Sequence, residues 1–156
     1  ALRALSNLDN ILDKAVASAE ARKFDPNVFL TSRLAPDMFP LTRQVQIACD
    51  FGKSPIARLA GMEVPKFEDT ETTFAEFKAR IARTLDFVRS VPADKFAGAE
   101  DRQINWKAGP NDMSMKGAPY FTGYAVPNFY FHLSMAYAIL RHNGLDIGKK
   151  DFLGAA

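Results

Sequence analysis

Few residues in this chain of 156 are of the types that do chemistry. There are two histidines, His132 and His142, and one cysteine, Cys49. Two imidazoles share a metal ion from one helix only when spaced three or four residues apart. His132 and His142 stand ten residues apart, about 80° out of phase and about 15 Å apart along a helix axis, so they do not chelate together. His142 reads as a solvated residue at a helix C-terminus. His132 reads as a core histidine hydrogen-bonded to Asn128, a tyrosine hydroxyl or a backbone carbonyl, with a ligand-facing role as the alternative. Cys49, beside the small residues Ala48 and Gly52, reads as a packed thiol; a nucleophile needs an adjacent base and an accessible, electropositive setting. Phe51-Gly52-Lys53-Ser54 fails as a phosphate loop, because the required first glycine position is Ile47. No serine carries the flanking glycines of a nucleophile elbow.

The remaining polar candidates lie on two segments. On the second expected helix, Arg43, Gln46 and Asp50 fall together opposite the apolar stripe, as a surface polar network or a subunit contact. Gln44 lies nearer the core edge, and the phase of Asp50 disfavours it as a metal carboxylate. Tyr130 and Tyr137, seven residues apart, share a helix face, with Tyr120 and Tyr124 upstream. Tyrosines at such positions line interfaces and pockets, one end being apolar and the other in need of a partner. The candidate ligand pocket is therefore His132, Asn128, Gln44, Asp50, Tyr130 and Tyr137, with no catalytic residue and no metal ligand assigned.

The element that must hold most of these is Ala118–Leu140, which contains no Asp, Glu, Lys or Arg. From Phe129 to Leu140 it is apolar on every side, so other helices, a second subunit or lipid must enclose it. Pro119, Pro127, Asn128 and His132 make it a poor membrane span, and burial in a helical bundle is the better account. Upstream, Leu5, Leu8, Leu12, Ala15 and Ala19 mark one face of a first helix over 2–23. Residues 27–38 form a connection that tucks Leu30, Leu34, Met38 and Phe39 onto the core. A second helix opens at Pro40 with Leu41, Val45, Ala48, Gly52, Ile56 and Leu59 inward, and Pro55 predicts a kink or break. A third begins at Thr70 or Thr73, where Thr73 and Glu76 fit a reciprocal cap. It carries Phe74, Phe77, Ile81, Leu85 and Val88 inward, with Glu76/Arg80 and Asp86/Arg89 on a solvated face that contributes little. Ile104, Trp106, Met113 and Met115 alternate about Gly109-Pro110 as a hairpin. Residues 117–125 read as a short helix, and Pro127 opens the last long one. The expected fold is all-α: an antiparallel four-helix bundle with a small β-hairpin inserted before the last long helix, residues 1–156 forming one domain.

Composition bounds the function classes. With 47% hydrophobic and 24% charged residues the chain is of the globular type. A formal charge of +2, spread without a basic cluster, is too small to imply a nucleic-acid or membrane-surface partner, and neither is expected. The lone cysteine and the absence of a basic-then-apolar leader suit a cytoplasmic protein.

Three runs carry a resemblance: LAPDMFPLTRQVQIACD from Leu34 to Asp50, FEDTETTFAEFKARI from Phe67 to Ile81, and PNFYFHLSMAYAILRHNGLDIGKKDFLG from Pro127 to Gly154. The sequence resembles the bacterial domain-of-unknown-function family nineteen-ninety-three, grouped with the DinB/YfiT-like four-helix bundles. Many of those bind a divalent metal through three histidines, and some transfer thiol cofactors. The resemblance implies a bundle, a bacterial cytoplasmic setting and a homodimer. It does not carry the metal site over. In DinB-like proteins one ligand comes from the second helix and a His-x-x-x-His pair from the last. Here His132 matches the first member of that pair, Ala136 stands at the second, and the second helix has no histidine. A metal held at this degenerate site would need Asp50, a glutamine or water as stand-ins, and would bind weakly. The expectation is thus a non-catalytic or small-ligand-binding homodimeric bundle without cofactor. The alternative is a metal-dependent enzyme of thiol-transferase type using His132 as one ligand.

Overall fold

The computed structural model describes residues 1–154. Helix α1 (Leu2–Ala21) buries Leu5, Leu8, Ile11, Leu12, Ala15 and Ala19 at helical spacing. It ends two residues before the expected stop. Lys23 takes a left-handed φ of 60°, and the Phe24 N–H turns back to the Ala19 carbonyl at 3.0 Å, a helix-terminating arrangement. A 3₁₀ turn, Pro26–Thr31, follows with its first N–H groups capped by Asp25. It buries Phe29 and Leu30, but Phe39, expected against the core, is exposed.

Helix α2 (Leu41–Leu59) runs unbroken through Pro55. A proline there removes one backbone hydrogen bond and crowds the carbonyl one turn back. Packing on both flanks holds the helix together, since α2 lies against α3 (Phe74–Ser90) and α5 (Val126–His142). The expected reciprocal cap opens α3: Glu76 N–H donates to Thr73 Oγ1, and the Glu76 carboxylate accepts from the Thr73 N–H at 3.0 Å. Helix α1 in turn packs on α3 and α5. One point shows how closely the four long helices approach. A Cβ built on Gly52 would lie 2.8 Å from Leu5 of α1, 3.4 Å from Thr84 of α3 and 3.6 Å from Phe129 of α5. The small residues of α2 therefore serve helix packing.

Strands β1 (Gln103–Ala108) and β2 (Asn111–Lys116) pair antiparallel as the expected hairpin, with Trp106 opposite Met113. Gly109 takes the positive φ of 60° that the two-residue turn requires. The hairpin covers a second, smaller core of Leu59, Ala99, Ile104, Trp106, Tyr120 and Ala125. Its base closes at Gly117, where an added Cβ would fall 1.8 Å from the Ala99 carbonyl oxygen. From there a helical turn α4 (Gly117–Pro119) and a π-helical turn (Tyr120–Ala125) lead directly into α5. The expected short helix and last long helix are thus one helical run. It stops at Gly144, φ 86°, and a short α6 (Lys149–Leu153) folds back on α1.

Helix α5 departs from the full enclosure its composition called for. Phe129, His132, Leu133, Ala136, Ile139 and Leu140 face inward, whereas Tyr130 and Phe131 are 47% and 51% exposed. Within a single chain the outer face is uncovered. Among the described residues no helix is long and apolar enough to cross a membrane.

Candidate functional site

His132 is positioned by α5 and read by α2. Its Nδ1 lies 2.8 Å from Gln44 Oε1, and the Gln44 amide nitrogen donates to the Phe39 carbonyl at 3.3 Å. Because that amide nitrogen is already engaged as a donor, Oε1 is the acceptor and His132 Nδ1 carries the proton. The other ring nitrogen, Nε2, is left as a lone-pair acceptor. Among the described residues it has no hydrogen-bond partner, the ring's one such bond being that of Nδ1. The residue as a whole is only 8% exposed. Phe51 lies parallel to the imidazole, 6.1 Å between centroids at 14°, and Phe131 meets it edge-on at 5.2 Å and 89°. Burial first, and then the field of Arg43, holds the imidazole below its usual value, so the ring is neutral near pH 7.

The other candidates are dispersed. Asn128 spends its amide on the Tyr124 carbonyl, 2.7 Å away on its own helix, and not on His132. Tyr130 packs edge-on against Phe129 on the outer face. Tyr137 sits toward the far end of α5, its hydroxyl donating to the Ile147 carbonyl at 3.3 Å. Asp50 joins a separate cluster with Lys53 and Arg80. Of the six, only His132 and Gln44 come together. The two rings that frame the imidazole were not anticipated, although Phe51 stands seven residues after Gln44, two turns along the same face. Cys49 is fully buried, and burial pushes its thiol up to about 12, which leaves it inert.

The largest correction concerns charge. Arg80, expected on a solvated face with Glu76, has a side chain only 1% exposed. It pairs with Glu71 at 2.9 Å, Asp69 at 2.9 Å and Asp50 at 3.2 Å. Gln46, expected at the surface, is buried and donates to Glu71 at 3.0 Å. Arg43 closes on Asp69, and the ring of Phe67 lies under Lys53, Arg80 and Arg83 at 4.8, 5.8 and 4.0 Å. The network straps residues 67–71 across α2 and α3. The sequence signal was present: Arg80 follows Phe77 by three and precedes Thr84 by four, on the buried stripe.

This donor set does not fit a three-ligand metal site. The position one turn after His132 is Ala136, Gln44 is committed to the imidazole, and Asp50 to two cations. Among the described residues no group of three His, Cys, Asp or Glu side chains is placed to hold an ion. The arrangement can instead offer an ordered, uncharged acceptor nitrogen between two aromatic rings.

Fold and site together define a mostly helical protein with one small hairpin and a single-imidazole site between its second and last long helices. The model of the family described as Domain of unknown function (DUF1993) matches residues 1–153, and the chain belongs to that family. It is similar to a crystal structure of a DinB family member protein from Shewanella denitrificans, with 47% identity and a TM-score of 0.92, covering 98% of this chain and 86% of that one. No curated protein matches.

Proposed function

We propose that this chain forms a DinB-like antiparallel four-helix bundle, cytoplasmic and homodimeric, that binds a small molecule beside His132 without metal-dependent catalysis. The observation that carries the reading is the pairing of His132 Nδ1 with Gln44 at 2.8 Å, which leaves Nε2 unpaired among the described residues, where no group of three His, Cys, Asp or Glu side chains is placed to hold an ion. The bundle assignment is supported by the mutual packing of α1, α2, α3 and α5 and the likeness to the DinB family member. The dimer is supported by the apolar outer face of α5, where Tyr130 and Phe131 are half exposed. Exposed aromatic faces of this kind are found at protein interfaces.

One observation favours a metal-dependent enzyme: a metal-bound histidine also donates its second ring N–H to an outer partner, as His132 does to Gln44. Elemental analysis of protein purified without chelator separates the two readings. No stoichiometric zinc, nickel, manganese or iron is expected; such a metal, lost in His132→Ala, would overturn ours. Gel filtration with light scattering at micromolar concentration tests the dimer. Dimeric mass is expected, reduced to monomer by Phe131→Glu, and a clean monomer for the unaltered chain would refute it.

A further inference from the structure

We infer that the chain holds a further ligand site, a half-open apolar hollow that takes an uncharged group about the size of one benzene ring. His132 and Gln44 do not line it, so the inference does not rest on their pairing and goes beyond the reading above.

The hollow measures about 220 Å³. Helix α2 supplies Phe51, Pro55 and Ile56, the π-helical turn supplies Phe121, and the start of α5 supplies Val126 and Phe129. These side chains are apolar, and no charged side chain joins the lining. Protein interiors are packed as closely as organic crystals, with few voids larger than a water molecule. The same stretch of α2 obeys that rule on its other side, where a Cβ added to Gly52 would lie 2.8 Å from Leu5. The hollow is therefore a local feature and not a looseness of the whole region. One of its walls is the π-helical turn, an irregularity found frequently at functional sites. That turn leaves the ring of Phe121 exposed beside an apolar space, and a ligand seated there would cover it. An apolar cavity of about 150 Å³ accepts benzene or xenon, and removal of apolar surface from water is the force that draws such a group in. A carboxylate seated there would give up hydration without meeting a charged side chain in return. Tyr130, on the α5 face assigned above to the dimer, borders the hollow as well. The walls from α2 and the buried Phe129 do not belong to that face, so the site is complete in a single chain.

The probes are toluene and benzoate, one ring bearing a methyl group or a carboxylate. The methyl resonances of Ile56 and Val126 report on the walls from α2 and α5. Toluene should shift both and raise the unfolding temperature, binding at least about tenfold more tightly than benzoate. Ile56→Trp and Val126→Trp, each at a half-buried position, fill the hollow from one wall or the other. Whichever of them unfolds as cooperatively as the parent should no longer respond to toluene. Phe131→Glu, in which the subunits are expected apart, should bind toluene as the parent does. Equal or tighter binding of benzoate would overturn the ligand class. Undiminished toluene binding in both filled variants, or its loss in Phe131→Glu, would overturn the site. Toluene shifts confined to the His132 ring would overturn it while supporting the reading at His132. No shift of either methyl resonance would overturn it whatever that ring does.

Discussion

Replacing Arg80 by methionine should cost this protein about 3 kcal/mol, the lower end of what breaking a buried ion pair by removing one partner costs. The size follows from which of its partners can recover in water. Asp50 and Asp69 have side chains 37% and 39% exposed, so solvent resupplies most of what they lose, and each is worth under about 1 kcal/mol. Glu71 is only 9% exposed. Without the guanidinium it keeps the Gln46 amide but remains a buried carboxylate with no cation in contact, and that penalty dominates. For a domain of this length the loss corresponds to roughly 6–12 °C in Tm. Urea denaturation at pH 7, followed by circular dichroism and by the fluorescence of the single tryptophan, Trp106, measures it. The decisive sample is the double variant Arg80→Met, Glu71→Met, which removes both charges together. It should recover to within about 1 kcal/mol of the parent, since replacing a buried pair by apolar groups of similar volume is often neutral. An Arg80→Met loss below about 1 kcal/mol would mean that the residue behaves as an ordinary surface charge. A double variant as unstable as the sum of the singles would mean that the loss is one of packing.

Gly117→Ala should destabilise by about 2 kcal/mol or more, as overpacking does, because the added Cβ meets the backbone oxygen of Ala99 at 1.8 Å and not a side chain free to move. Its signature would be a red-shifted Trp106 emission as the hairpin lifts from Tyr120 and Tyr124, and unchanged emission and stability would refute the close approach. The pH dependence should carry the mark of His132, whose pKa is lowered by burial and by Arg43. As pH falls below about 6.5, the ordinary histidine value, the unfolded chain takes the proton first and stability declines until the folded ring is protonated too. Denaturation midpoints between pH 7 and pH 5 should fall more steeply in the parent than in His132→Phe, and equal slopes would show that the folded ring titrates normally.

Much of the architecture was legible in the sequence because it depends on local periodicity. The apolar stripes of α1 and α3, the Thr73–Glu76 cap, and the alternation of Ile104, Trp106, Met113 and Met115 are each set by residues within a few turns of one another. Where the expectation missed, a distant segment had intervened. Of the kink or break expected at Pro55, the break is absent: α2 continues to Leu59 with α3 and α5 packed against it. Arg80 and Gln46 are charged or polar by type, and so were assigned to water. They are buried because Phe67, Asp69 and Glu71 fold over them.

Sequence alone determined that His132 stands without a second imidazole and that the segment around it carries no charge, since both are matters of composition and spacing. It could not say which atom of the ring is free. That was decided by Gln44, eighty-eight residues away in the chain. Packing α2 against α5 brings its amide to Nδ1 and sets the tautomer, and a hydrogen bond between two helices has no trace in the local pattern of either.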